Sequence, residues 1–382
     1  MQENQPLQDE FEQGPIRPPN EAFSLLVRVT RNCPWNRCTF CPVYKGAKFG
    51  LRKVAEVKAD ISAMARLAER IAPLMGPEGE VTEDLMQLLR DEARNEAVQV
   101  VRFLATGGET AFLQDANSLI MGVDDLVEVL THLRKTLPSI KRVTTYARSH
   151  TVTKRSLAEL TRIREAGLDR IHIGLESGSD AVLAMADKGA TAERHIAAGK
   201  LAKQAGLELS EYVMPGLGGR ALSEEHASET ARVLREIDPH FVRLRTLAIA
   251  HGSPLAKQRD AGEFEPLDDV EVVAELRTLV GGFTGMTSTV TSDHALNLLE
   301  EIEGKLPEAH ERMMAAIERF LDFSPHEQDR YIVARRFGLL RRLADLDDPG
   351  VRERAEAALT HFKQRMPGPV AKSIREAMAR LV

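Results

Sequence analysis

Cysteine is nearly absent from this chain: three in 382 residues, all between positions 33 and 41. An odd number so confined cannot make a closed disulfide framework. Long apolar runs are missing too, and none approaches the ~20 residues that span a bilayer. The opening MQENQPLQDEFEQG lacks the basic and apolar regions of a signal peptide. A net charge of −6 lacks the positive excess that favours phosphate backbones and argues against a nucleic-acid partner. These absences predict a soluble, cytoplasmic protein without a membrane partner, whose thiols stay reduced and can hold metal. What is present is a 43% hydrophobic composition, enough for a large core.

Residues 1–20 are rich in Gln, Glu and Pro and are expected to be a disordered tail. From Phe23, short β-type runs alternate with amphipathic helical stretches. The runs are FSLLVRV, VQVVRFLAT (98–106), KRVTTYA (141–147), RIHIGLE (170–176), LELSEYVM (207–214) and FVRLRTLAI (241–249). Helices are expected at 53–72, 123–137, 154–166, 192–205 and 223–237. In REAGLDRIHIG and KQAGLELSEYV a glycine, Gly167 or Gly206, stands where a helix C-terminus needs a left-handed residue before a strand. This repeated α-turn-β unit predicts a parallel sheet, either an incomplete barrel or a doubly wound sheet. Residues 76–97 form an acidic helical insertion that reads as a solvated surface. After about 285 the strand pattern stops, so 21–285 is the expected α/β domain and 286–382 a helical region. There the Arg-rich stretch 331–346 has apolar spacing suited to packing.

Cys33, Cys38 and Cys41 admit few roles. A structural zinc normally takes four protein ligands, and His132 and His150, the nearest histidines, are distant in sequence. Three thiolates on a four-iron cluster leave one iron open to a substrate or cofactor. A trio of inert buried cysteines is the bland alternative. Pro34 and Pro42 and the tight two-residue loop between Cys38 and Cys41 argue against it.

On these residues the sequence resembles the radical S-adenosylmethionine (radical SAM) superfamily, whose hallmark is three cysteines after the first barrel strand. The usual intervals are three and two residues; here they are four and two, with the C-x-aromatic-C end intact as CTFC. The closest resemblance is to elongator-type and methylthiotransferase-like cores, and there is some to oxygen-independent coproporphyrinogen oxidases. Extra cysteines for a second cluster, an acetyltransferase-like region and a cobalamin-binding D-x-H-x-x-G motif are not seen. The resemblance implies that Cys33, Cys38 and Cys41 ligate a [4Fe–4S] cluster and that Phe40 lies beside the SAM adenine. It also implies that Gly107, Gly108 and Glu109 of ATGGET receive the methionine ammonium after the second strand. Glu176 of IGLESGSD would bind the ribose hydroxyls, Lys188 the SAM carboxylate, and YVMPGLGG (212–219) would support the adenine. The implied fold is α/β: a partial (β/α)6 TIM-type barrel with a C-terminal helical extension. The implied activity is reductive cleavage of SAM to a 5′-deoxyadenosyl radical. That radical would abstract hydrogen from a small or medium organic substrate, with an electron donor such as flavodoxin or ferredoxin.

A non-enzymatic iron–sulfur redox or sensor protein is the alternative, although it would not need the GGE turn or Glu176. Tyr146 and Arg148 share a strand face, as do Arg243 and Arg245. Such cations either pair with protein acids such as Glu211 or Glu176, or they receive an anionic substrate. On the second reading Tyr146, Arg148 and Arg245 are the candidate catalytic or substrate residues.

Overall fold

The structure, a computed structural model, describes residues 9–16, 18–92 and 95–378. Residues 1–8 and 17 of the expected tail, and 93 and 94 of the acidic insertion, lie outside the described residues. Among the described residues ten strands follow in chain order: β1 (Leu25–Arg28), β2 (Thr30–Arg31), β3 (Gly50–Leu51), β4 (Thr110–Gln114) and β5 (Arg142–Ala147). They continue as β6 (Arg170–Glu176), β7 (Glu208–Val213), β8 (Phe241–Leu244), β9 (Thr289–Thr291) and β10 (Gly304–Lys305). The main sheet has the order β1-β4-β5-β6-β7-β8-β9-β10, while β2 and β3 form a separate antiparallel pair. Ladders β1–β4, β4–β5, β5–β6, β7–β8 and β8–β9 are parallel, and β10 closes the series antiparallel to β9. Consecutive parallel strands with helical crossovers make this a mixed α/β chain with the topology of a partial (β/α)6 TIM-type barrel.

The chain divides into two compact units: residues 1–34, 43–173 and 201–209, and residues 35–42, 174–200 and 210–382. This division differs from the expected boundary at 285. The three cysteines are shared out by it, Cys33 to the first unit and Cys38 and Cys41 to the second.

In the first unit the helix Val54–Ile71 buries Val57, Ile61, Met64, Leu67, Ala68 and Ile71. Their i+3 and i+4 steps put them on one stripe. Glu56 in its first turn complements the exposed N-terminal amides and reaches the Lys53 amide at 3.2 Å. Pro73, just past its end, lies in the 3-10 turn Ala72–Leu74 that succeeds it. Truncating fully buried Leu67 to Ala should cost about 2–5 kcal/mol. Gly167 and Gly206 adopt φ of 117° and 77°, the conformation that the repeated α-turn-β reading requires of them.

Three expectations are corrected. VQVVRFLAT is not a strand, because 95–104 is helical. Its β-branched residues suggest a strand, but Ala97, Val100, Val101 and Phe103 face inward while Arg102 is exposed. The second strand of the main sheet is instead TAFLQ, residues 110–114. Strands also continue past residue 285, where β9 and β10 extend the sheet before the helices His310–Leu321, Pro325–Arg336, Pro349–Arg365 and Val370–Met378. Finally, residues 9–16 of the expected tail are docked. Phe11 is buried, Glu12 pairs with Arg28 at 2.9 Å and Arg31 at 2.6 Å, and the Gln114 side chain bonds the Gly14 and Ile16 carbonyls.

Candidate functional site

In the first unit, the turn before Cys33 is made by Asn32 at φ 69°, a left-handed conformation that asparagine tolerates better than most residues. Its amide donates to buried Asp115 at 2.9 Å. The same carboxylate accepts Arg28 at 2.9 Å and the Tyr44 hydroxyl at 2.8 Å. Burial, with the Asp115 charge next, pushes the Tyr44 phenol well above its usual range, so it stays a neutral donor. Sequence reading missed Asp115. Its signal was a lone acid just past an apolar run, which is too common to single out.

In the second unit, the Cys38–Cys41 loop closes with the Cys41 amide 3.4 Å from the Cys38 carbonyl. Thr39 anchors it through two main-chain bonds, to the Ala186 carbonyl at 2.9 Å and from the Leu255 amide at 3.0 Å. Trp35 donates to the Asp187 carbonyl at 2.6 Å. Phe40 packs on the buried group Val182, Ala186 and Leu217, alongside Met185, Met214 and Leu247.

Glu176 and Lys188 are brought together, with Nζ 2.8 Å from Oε1 and the same Nζ 5.8 Å from the Phe40 ring centre. Glu176 holds φ 61°, which costs a non-glycine residue roughly 1–2 kcal/mol. A Cβ on Gly174 would collide with the Glu176 carboxylate and lie 2.8 Å from Lys188 Nζ, so a larger residue there would push this pair aside. Glu211 is fully buried, and neither carboxylate oxygen has a hydrogen-bond partner among the described residues. Burial first, and then the Glu176 charge, hold its pKa well above the usual range, against the pull of Lys188.

The glycine-rich segment after β7 is also in the second unit. The Gly216 amide, at φ 89°, donates to Glu275 at 2.6 Å, and Ser223 donates to the other Glu275 oxygen at 2.6 Å. His226 lies beside them, 2.8 Å from Ser177 Oγ and 3.1 Å from the Met214 carbonyl. Pro215, Gly216, Thr246 and Leu247 line a cavity of about 940 Å³, near the upper end of small-molecule pockets.

The candidate substrate residues are divided between the units. In the first, Tyr146 packs edge-on against Phe112, with centroids 5.3 Å apart, and Arg148 precedes the short helix Ser149–Val152, its amide bonded to Asn117. In the second, Arg243 and Arg245 both pair with Asp293, at 3.3 and 2.6 Å, rather than with Glu211 or Glu176. The Arg-rich helix Pro325–Arg336 spends its guanidiniums internally, with Arg335 on Glu300 at 2.8 Å and Arg336 on Asp269. Tyr331 is buried in the same helix.

Gly107, Gly108 and Glu109 stand before β4, at its N-terminal end, because the strand follows them. Barrel sites gather at the opposite, C-terminal ends. Glu109 is half exposed and pairs with Lys141. Its position therefore withdraws the argument for these three as cofactor contacts. The segment that follows β4 is Asp115 to Asn117.

The family profile for the radical SAM superfamily matches residues 27–234, more than half the chain, and the chain belongs to that superfamily. It is accordingly a radical SAM enzyme, and its cofactors are a [4Fe–4S] cluster and SAM. Over 121 residues it is 25% identical to the tRNA uridine(34) acetyltransferase of Methanocaldococcus infernus, a stretch covering 30% of this chain and 22% of that protein. The Methanocaldococcus jannaschii enzyme of the same name is 24% identical over 121 residues, covering 30% of this chain and 21% of that one. The chain thus matches only about a fifth of the length of these relatives. Among solved structures, coproporphyrinogen III oxidase of Escherichia coli, a radical SAM enzyme, aligns at 15% identity with a TM-score of 0.45, over 68% of this chain and 52% of that one.

The donor chemistry fits the cluster. All three cysteines are half-buried and outside any disulfide, which offers three sulfurs for four irons. Among the described residues no three His, Cys, Asp or Glu side chains stand as a preformed cage. No helix of the described residues is long and apolar enough to cross a membrane.

Proposed function

We propose that this chain cleaves SAM reductively and directs the resulting carbon radical to hydrogen abstraction from an organic substrate. Cluster and SAM, when bound, supply the 5′-deoxyadenosyl radical. The chain's own residues bind and orient. Cys33, Cys38 and Cys41 would hold the cluster through their three thiolates, with no fourth cysteine in the chain to fill its remaining position. Glu176 accepts from the ribose hydroxyls, Lys188 attracts the methionine carboxylate, and Phe40 offers its apolar face to the adenine. The observation that carries this reading is Glu176, a left-handed residue buried against Lys188 beside the Phe40 ring. Backbone strain of this kind persists where the surroundings over-determine it, as they do at ligand sites. The acetyl transfer named for the tRNA-modifying relatives is not carried over, because the matched stretch is so small a part of them.

The test is anaerobic reconstitution with iron and sulfide, then reduction with SAM present. Wild type should release 5′-deoxyadenosine and Cys38→Ala should not, with its iron content reduced as well. Cluster-loaded wild type that yields no more 5′-deoxyadenosine than Cys38→Ala sinks the proposal.

A further inference from the structure

Arg245 follows β8 and is nine-tenths buried. Its Nη1 donates to Asp293 at 2.6 Å and to the Leu244 carbonyl at 3.0 Å, and the guanidinium lies 5.0 Å from the Tyr212 ring centre. Its Nη2 is buried without a hydrogen-bond partner among the described residues. Its carboxylate partner is not its own, since Asp293 also takes Arg243 at 3.3 Å. Arg243 is further engaged by Ser210 at 3.1 Å and Thr291 at 3.4 Å. Next along the chain from Asp293, the ring atom Nδ1 of His294 is also buried and has no hydrogen-bond partner among the described residues. Burial and then the Arg245 charge push His294 down to about 4, so its ring is neutral and adds no charge of its own.

Leaving one charged donor and one ring nitrogen buried and unsatisfied is costly, because each has lost its water without gaining a partner. One oxyanion that accepted from the guanidinium and from the ring N–H together would meet both needs. A guanidinium sharing its carboxylate has donor capacity left for a second planar or tetrahedral oxyanion. Asp293 is the exposed member of the group, with 38% of its side chain accessible, so its position marks the approach from solvent.

We propose that Arg245 and His294 form an oxyanion subsite that receives a carboxylate or phosphate group of the substrate. Asp293 is the resident carboxylate with which that group competes. The inference rests on the enzymatic reading above for the word substrate, but the binding it asserts needs neither SAM nor turnover.

The full-length, cluster-loaded protein is titrated calorimetrically, without SAM, with inorganic phosphate in one arm and acetate in the other, at constant ionic strength. Saturable binding of one of them is expected, and the anion that binds names the group. Arg245→Met should weaken it about tenfold or more, a loss of about 1.4 kcal/mol. Asp293→Asn should do the opposite and tighten it several-fold, because the competing charge is removed. A merely structural role for the cluster predicts no tightening in Asp293→Asn. If Arg245→Met does not fold, Arg245→Lys and Asp293→Asn decide the matter between them. No saturable binding of either anion, or Asp293→Asn binding no tighter than wild type, overturns the subsite. Anion binding without 5′-deoxyadenosine formation overturns the enzymatic proposal alone, and the converse result overturns this inference alone.

Discussion

Glu275 and His226 lie side by side with Nε2 3.7 Å from Oε1, and their opposite titrations should leave a measurable signature. Burial pushes Glu275 from 4.5 up to about 7, against the Ser223 hydroxyl and the Gly216 amide, which favour the charged form. Burial pushes His226 from 6.5 down to about 4, against the bond to the Met214 carbonyl. Between pH 4.5 and about 7 the folded chain keeps a Glu275 proton that the unfolded chain has lost. That contribution is full below 4.5 and is lost as pH rises to about 7. Between about 4 and 6.5 the folded chain lacks a His226 proton that the unfolded chain holds. That contribution is full above 6.5 and is lost as pH falls to about 4. Each gap is worth roughly 3 kcal/mol at about 1.4 kcal/mol per pH unit.

The two slopes cancel where the windows overlap, so this pair gives wild type almost no pH dependence from 4.5 to 6.5. Single variants should expose each slope. Glu275→Gln should lose stability as pH falls through the His226 window, and His226→Gln should lose it as pH rises through the Glu275 window. Anaerobic urea unfolding of the three proteins at several pH values reads the slopes directly, and constant offsets from lost hydrogen bonds drop out. Variant curves that run parallel to each other and to wild type would refute the reasoning, since both groups would then titrate normally.

Glu176→Gln should weaken SAM binding about tenfold or more while iron content stays near wild type, because the ribose acceptor loses its charge. Glu109→Gln, at the other end of its strand and paired with exposed Lys141, should leave SAM affinity unchanged; equal losses in the two variants would restore Glu109 as a cofactor contact. Asp115→Asn should destabilise the first unit by about 1–3 kcal/mol and lower iron per chain, since Arg28, Tyr44 and the amide before Cys33 all depend on that carboxylate. Unchanged unfolding and full iron loading would show that the Cys33 turn does not need it.

Much of the fold was legible because period alone carries it. The helices Val54–Ile71 and Val123–Thr136 fall within a residue or so of the stretches read from apolar spacing, and RIHIGLE is β6 to the residue. The failures have local causes. In 98–106 the β-branched valines outweighed a helical stripe, and that one misreading carried GGE to the wrong end of a strand. The strands β9 and β10, of three and two residues, are too short for alternation to register. Residues 9–16 have the composition of a tail, yet Phe11 and Glu12 find partners that only folding supplies, Arg28 and Arg31 among them. Of the proposed site, Cys33, Cys38, Cys41, Glu176 and Lys188 stood out through motif and spacing. Asp115, Glu275 and Asp293 did not, because each acts on residues some 50 to 90 positions away.

The charges of the second unit favour Glu176 over Glu211 as the proposed acceptor. Two carboxylates lie in range of one ammonium, and Lys188 is bonded to Glu176. A second buried anion beside that pair would face the desolvation cost and the Glu176 charge together, so Glu211 keeps its proton. Glu176 is held by a lysine and by a left-handed backbone, with Gly174 leaving room for its carboxylate. Glu211 is a neutral group with a hydrogen-bond donor to offer. A carboxyl group paired with a lysine and a second one that keeps its proton supply an acceptor and a donor side by side. A cofactor with hydroxyl and carboxylate groups calls for both.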